Sequence, residues 1–295
     1  MGEYLTVKDH KIHYVKKGDR GQPVVCVHGI PTSSFLWRKV QDRLAAHYQT
    51  YALDMLGYGK SDKPTDAEYT ASAQAEILDG FLDALGLRQV VLACHDQGGA
   101  FGSVFACRYP EKISRFIFMN GVAYDYWPVI EVKAMGKLIT APDFFLQIPL
   151  FEMMLPNMLR ASAYNRAAFP DKVAREYMAP WMGLEGAKAL VRVAAGPSET
   201  ETMALDLSRI KVPALVIWAL NDPYLPFEIA ERLKRDLGGP VRIATIPECG
   251  HFLQEEKPDE VAAIMHDFLT EYSEGQPGSG PKPGPAPSGA AGEKR

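Results

Sequence analysis

Cysteine is scarce in this chain: Cys26, Cys94, Cys107 and Cys249 stand far apart among 295 residues. No two share the short spacing of a metal site, so neither a zinc module nor a disulfide scaffold is expected, and buried free thiols are the plain reading. Long apolar runs are missing too. No stretch of 18 apolar residues could span a bilayer and no leader-like segment opens the chain, so a cytoplasmic protein without a membrane partner is expected. Excess positive charge is also lacking: 32 Lys and Arg against 36 Asp and Glu leave a net charge of −4. Nothing in that balance draws in nucleic acid or an anionic surface. Internal repeats are absent, which excludes a solenoid or propeller. What is present is a chain with 47% hydrophobic residues, long enough to bury a sizeable core.

Strand-like and helix-like segments alternate along it. Residues 4–17 alternate in polarity around Lys8-Asp9-His10 and predict an antiparallel hairpin. Pro23–Val27 and Tyr48–Leu53 read as strands, with an amphipathic helix over Phe35–Ala46 between them and another over Ala71–Leu85, stopped by Gly86. Further strands are expected at Val90–Asp96, Phe116–Met119, Val212–Trp218 and Pro240–Ile246, and a closing helix over Pro258–Tyr272. This rhythm means βαβ units and a mainly parallel sheet. It breaks over residues 122–205, which are rich in Met, Pro and aromatics, helical in pattern and without an obvious strand. The chain thus divides into a core (1–121 and 206–273), a helical cap (122–205) inserted between core strands six and seven, and a Pro/Gly-rich tail (274–295) expected to be disordered. An insertion there lies over the carboxyl ends of the strands, where open α/β sheets bind ligands.

The chemistry centres on Val90–Ala100. An apolar strand runs into Cys94-His95-Asp96-Gln97-Gly98-Gly99 and then into small residues at helical spacing. This is a nucleophile elbow, a tight strand–turn–helix that lifts one side chain clear of the sheet. Serine usually occupies the apex; here it is Asp96. A carboxylate attacking an acyl carbon would give a labile anhydride, whereas at an sp³ carbon it gives an ordinary ester, so Asp96 points to alkyl substrates carrying a leaving group. The ester must then be hydrolysed. His251, after the last strand, is the candidate base, and Asp222, after the preceding strand, the carboxylate that fixes its tautomer. The order nucleophile, acid, histidine is the one expected for an elbow enzyme. The backbone N–H groups of Ile30, in His28-Gly29-Ile30-Pro31, and of Gln97 would form the oxyanion hole. His95 should face away from the nucleophile and serve the structure.

These motifs resemble the haloalkane dehalogenase and epoxide hydrolase branch of the α/β-hydrolase fold, over roughly residues 4–272. The resemblance rests on His28–Arg38, on the Gly57–Pro64 loop and on His95-Asp96-Gln97-Gly98-Gly99. It implies a mostly parallel sheet flanked by helices with a cap between strands six and seven. Dehalogenases of this branch place a tryptophan directly after the nucleophile to hold the halide; this chain has Gln97. Many carry an asparagine where Ile30 stands. A halide leaving into an apolar pocket needs such donors, because an unsolvated anion there is very costly. The arginines expected after the elbow for haloacid substrates are missing too, with Gln97 and Ala100 in their place.

Epoxide opening needs an acidic O–H, which the resemblance would supply from a cap tyrosine at Tyr164. A second such tyrosine would fall near Phe144-Phe145-Leu146-Gln147, where phenylalanines stand. Tyr124, Trp127 and Trp181 are the other candidate donors to a leaving group. The Met and aromatic residues of 144–158 imply an apolar pocket and a small apolar substrate. The leading expectation is therefore a monomeric or homodimeric hydrolase, without cofactor or metal, that forms an alkyl ester at Asp96; epoxides are preferred to haloalkanes. Two other classes share the same sequence: an isomerase, cyclase or lyase that keeps the triad for proton transfer, and a catalytically silent binding protein.

Overall fold

Short β-branched runs bury on both faces when helices cover both sides of a parallel sheet, and that is how the central strands of this chain are used. The computed structural model describes residues 2–146 and 150–272, the side chains of 144 and 150–155 excepted. The tail of 274–295 lies outside the described residues. Eight strands form one sheet: β1 (Glu3–Val7), β2 (His10–Lys17), β3 (Pro23–Val27), β4 (Gln49–Leu53), β5 (Val90–Asp96), β6 (Ile113–Gly121), β7 (Ala214–Ala219) and β8 (Val241–Ile246). Their order is β1-β2-β4-β3-β5-β6-β7-β8. The β1–β2 and β2–β4 pairs are antiparallel and all the others parallel. The hairpin turns at Lys8 and Asp9, both in the left-handed region with φ of 47° and 65°, which matches the primed turns that two-residue hairpins favour.

On the core side, α1 (Arg38–Leu44), α2 (Ala71–Ala84) and α3 (Gln97–Arg108) follow β3, β4 and β5. Between β6 and β7 the described chain is helical: α4 (Ile130–Gly136), α5 (Asp143–Leu146), α6 (Leu150–Ala161), α7 (Asp171–Met178), α8 (Gly183–Ala195) and α9 (Glu199–Met203). Then come α10 (Glu228–Asp236), α11 (Leu253–Glu256) and α12 (Pro258–Glu271). The helix expected over Phe35–Ala46 is split, beginning as a 3₁₀ turn at Ser34–Trp37 where the Ser33 hydroxyl accepts from the Phe35 N–H.

Two apolar layers sandwich the sheet. Val25, Val27, Leu92, Phe116 and Phe118 face one side with Phe101 and Phe105 of α3, while Val24, Val91, Ile117 and Ile217 face the other with Trp37, Met265 and Phe268. All four cysteines are buried and free. The inserted helices are tied to the core by a buried carboxylate. Glu255 accepts from the Tyr177 hydroxyl of α7 at 2.6 Å and pairs with Arg38 and with Lys39 at 2.9 Å. With its side chain out of water, Glu255 depends on these partners among the described residues, so losing them would strand a buried charge. The Glu255 N–H donates to the Phe252 carbonyl at 2.9 Å in the first turn of α11, just beyond His251.

Candidate active site

The end of β5 sets the geometry. Asp96 has φ 53° and ψ −127°, a conformation L residues rarely adopt and one that costs about 1–3 kcal/mol. The surroundings enforce it. A register shift separates His95 from Asp96 in the β5–β6 ladder, and the Asp96 carbonyl accepts from the Val122 N–H at 3.0 Å. Helix α3 then starts at Gln97 and presses on β3: a Cβ on Gly98 would lie 2.6 Å from the Val27 carbonyl oxygen. Only glycine permits that approach. The carboxylate consequently sits at the amino end of α3, where the helix dipole favours negative charge.

The two oxygens of Asp96 have different partners. Oδ1 accepts the Ile30 N–H at 2.7 Å. The turn carrying Ile30 is stiffened by Gly29, whose carbonyl accepts from His28 Nδ1 (2.9 Å) and from the Thr32 N–H and hydroxyl. His28 Nε2 accepts from the Met55 N–H at 3.1 Å. A Cβ on Gly29 would fall 2.0 Å from Asp96 Oδ1 and 2.5 Å from the Gln97 nitrogen, which shows how tightly these groups converge. Oδ2 lies 3.4 Å from His251 Nε2.

His251 Nδ1 lies 2.8 Å from Asp222 Oδ2, so the three side chains that the sequence singles out form one chain of contacts. Asp222 is almost wholly buried. Its Oδ1 accepts from the Tyr224 and Leu225 N–H groups at 2.8 and 3.2 Å, and its Oδ2 also accepts from Asn120 Nδ2 at 2.7 Å. Asn120, at the end of β6 with φ 32°, is pinned by the Ala219 N–H on its Oδ1. The Asn221 N–H donates to the Cys249 carbonyl, joining the loop of Asp222 to the loop of His251. The backbone of His251 is held twice: its N–H donates to the Ser162 carbonyl at 2.9 Å and its carbonyl accepts from His95 Nε2 at 2.8 Å. His95 therefore braces the histidine loop from beneath.

Electrostatics follow from this packing. Burial disfavours a proton on His251, but Asp222 and Asp96 outweigh it and raise its pKa to about 10. The ring lies between two carboxylates, which favour its protonated form. Burial works against the charge on Asp222 as well, yet His251, the Tyr224 N–H and Asn120 hold its pKa below the usual carboxylate value. Burial pulls His95 down to about 4, so it stays neutral.

Asp96 and His251 open onto a cavity with a mostly apolar wall that includes Ile30, Val132, Met135, Met158, Leu159 and Phe252. These come from the His28 turn, α4, α6 and the histidine loop, so the inserted helices form its roof. Ser162, Glu131 and Tyr224 are the remaining polar residues described there. The side chains expected to donate to a leaving group lie elsewhere. Tyr164 is 53% exposed, because the neighbouring backbone is drawn onto Glu256, which accepts the Asn165 and Gly250 N–H groups. Tyr124 donates to Asp236 at 2.8 Å, and the Trp181 indole N–H is taken by the Pro31 carbonyl at 2.8 Å. Trp127 is buried against Phe101. None of these four is among the described residues lining the cavity. The Gln97 side chain is likewise engaged, its Oε1 accepting from the Tyr58 hydroxyl at 2.5 Å. Tyr224, not singled out by sequence reasoning, stands in the cavity wall with its ring edge-on to His251, centroids 5.3 Å apart.

Comparison with known proteins agrees with this architecture. The chain is 26% identical to Epoxide hydrolase 3 of Xenopus tropicalis over 287 residues, covering 91% of this chain and 77% of that protein. It is 29% identical to a haloalkane dehalogenase of Agrobacterium fabrum, covering 88% of each. The solved structure of the haloalkane dehalogenase DatA from Agrobacterium tumefaciens C58 superposes with a TM-score of 0.76 at 27% identity, over 92% of this chain and 96% of that one. The family model for the α/β-hydrolase fold matches residues 22–258, and the chain belongs to that family as a hydrolase.

Proposed function

We propose that this hydrolase attacks an sp³ carbon of a small apolar molecule with Asp96, forming an alkyl–enzyme ester that water hydrolyses with help from His251. The single observation that carries the reading is the split environment of the Asp96 carboxylate: Oδ1 on the Ile30 N–H, Oδ2 3.4 Å from the His251 imidazole, with both residues lining the cavity. Attack by Oδ2 leaves Oδ1 as the ester carbonyl oxygen, already on the donor that stabilises it when water adds. Esterification also removes one of the two charges that raise the pKa of His251. The imidazole then gives up its proton more readily and becomes a base at the stage that needs one. Asp222 keeps Nδ1 as the protonated nitrogen throughout, so Nε2 is the one that takes the proton from water.

Within this reading epoxides are preferred to haloalkanes. Gln97 replaces the halide-holding tryptophan, its side chain is bound to Tyr58, and the Trp181 N–H is committed to Pro31. The similarity to a haloalkane dehalogenase favours a second reading, with the same ester and a halide leaving group. The test is intact-protein mass spectrometry of the His251→Ala variant mixed with 1,2-epoxyhexane. The expected result is an added mass equal to the whole epoxide, localised to the peptide containing Asp96. An unmodified protein, or an adduct at another residue, would overturn the reading.

A further inference from the structure

We propose that Tyr224 is the acid that protonates the leaving atom, and that the leaving atom is therefore an oxygen, as in an epoxide or another strained cyclic ether. The proposal rests on the Asp96 ester reading and names the group that this reading still lacks. Tyr224 lies on the loop that also delivers Asp222, and its N–H donates to Asp222 Oδ1 at 2.8 Å. That bond sets the direction of the loop, and the ring stands edge-on to His251 at 5.3 Å. The imidazole in turn is 3.4 Å from the attacking oxygen. Among the described polar residues lining the cavity, Tyr224 is the one whose proton can be turned to a leaving atom; at rest its hydroxyl is hydrogen-bonded to Ser162. Asp96 is the nucleophile, Glu131 is a carboxylate at the rim, His251 spans Asp96 and Asp222, and the Ser162 hydroxyl donates to the Leu159 carbonyl at 2.8 Å. Burial, with the nearby carboxylates of Glu131, Asp222 and Asp96, outweighs the hydrogen bond with Ser162 and pushes the Tyr224 pKa up to about 12, so the phenol keeps its proton until a stronger base forms beside it. An alkoxide is such a base; a halide is not.

The protons balance around the cycle. The resting site holds the Asp96 carboxylate, the His251 imidazolium and the Tyr224 phenol. Asp96 Oδ2 bonds to a ring carbon, the C–O bond breaks with its electron pair going to oxygen, and the Tyr224 proton moves to that oxygen. The phenolate then recovers a proton from His251, through one water, leaving a neutral imidazole. Water attacks the ester carbonyl carbon and gives a proton to His251. The tetrahedral intermediate collapses, the departing alkoxide takes the proton of the new Asp96 acid, and the resting state returns with one water added to the epoxide. With a halide leaving group no proton is consumed in the first step, and the imidazolium would have to lose its proton to solvent before it could act as base. An oxygen leaving group thus closes the proton cycle among Asp96, Tyr224 and His251, which all line the cavity.

The experiment compares two probes with the same chain, 1,2-epoxyhexane and 1-iodohexane, in the His251→Gln background, where the ester accumulates. Adduct formation at Asp96 is timed by mass spectrometry with and without Tyr224→Phe. The epoxide rate is expected to fall by about 10²–10⁴-fold, the range of a lost general acid, while the iodide rate changes by less than about threefold. Equal losses on both probes would make Tyr224 a positioning residue only, and no loss on either would remove it from the reaction; each overturns the proposal. Replacing Tyr224 with 3-fluorotyrosine, which keeps an ionisable hydroxyl, is expected to retain the epoxide reaction, and its loss would also overturn the assignment. If the His251→Gln parent forms no adduct with either probe, the Asp96 ester reading itself fails, a result visible before Tyr224 is altered.

Discussion

Exchanging Asp222 for asparagine is a perturbation whose consequences can be worked through from the contacts. Asp222 Oδ2 accepts two donors, Asn120 Nδ2 at 2.7 Å and His251 Nδ1 at 2.8 Å, while Oδ1 accepts the N–H groups of Tyr224 and Leu225. A carboxylate can satisfy all four. A carboxamide has one acceptor oxygen, so either orientation of Asp222→Asn turns an NH₂ group towards donors and strands them in a buried site. That costs about 1–3 kcal/mol of stability for each unsatisfied group. In the proposed mechanism the larger effect is on the imidazolium formed when water is deprotonated. At a charge separation of about 4 Å and an effective dielectric of about 20, the lost attraction is about 4 kcal/mol, or roughly 10³ in rate. Attack by Asp96 needs no proton on or off His251, so it should slow far less than hydrolysis of the ester. Rapid-quench mass spectrometry of Asp222→Asn is therefore expected to show the ester accumulating to near one equivalent and decaying roughly 10³-fold more slowly than in the parent. Decay at the parent rate would refute the role assigned to Asp222.

Two further outcomes follow from the same geometry. Gly29→Ala should abolish turnover and lower the melting temperature, because its Cβ would sit 2.0 Å from Asp96 Oδ1 and 2.5 Å from the Gln97 backbone nitrogen, pushing the carboxylate off the Ile30 N–H; retained activity would show that the close approach is not needed. Stability should peak near pH 6.5. His95, held neutral by burial with a pKa of about 4, binds its proton less readily folded than unfolded, so stability falls as the pH drops below about 6.5, by about 3 kcal/mol at most. His251, raised to about 10, holds its proton more tightly folded than unfolded, so its contribution is complete below about 6.5 and is lost as the pH rises towards 10. Urea denaturation across pH 4–10 measures both limbs, and a flat profile would contradict the protonation states assigned here.

Some of this was readable from residue order alone, for physical reasons that differ along the chain. Asp96, Asp222 and His251 each follow an apolar run and sit among turn-forming residues, so strand ends could be located and the three placed at one edge of a parallel sheet. Ile30 was accessible for the same reason, since a Gly-Pro turn after a strand offers its backbone whatever the side chain. Donors to the leaving group were harder, because their direction is set by tertiary bonds. Trp181 turns its N–H to Pro31, 150 residues away, and Tyr124 reaches Asp236. The aromatic positions of the inserted helices have no periodicity that distinguishes a cavity wall from a buried layer. Tyr224 is hard to find from residue order because it lies in a core loop and not in the insertion. Its position follows from the Asp222 carboxylate gathering the next turn of backbone, a side-chain–backbone turn that the run Asn221-Asp222-Pro223 hints at.

The most direct measurement of the central claim is a single turnover of the unmodified protein with excess enzyme over 1,2-epoxyhexane in ¹⁸O-labelled water, followed by mass analysis of the Asp96 peptide. If water attacks the ester carbonyl, the label appears in the Asp96 carboxylate and the first diol released carries none. Label found directly in the diol, with an unlabelled Asp96, would mean that water attacks the substrate carbon itself and that the aspartate is never esterified.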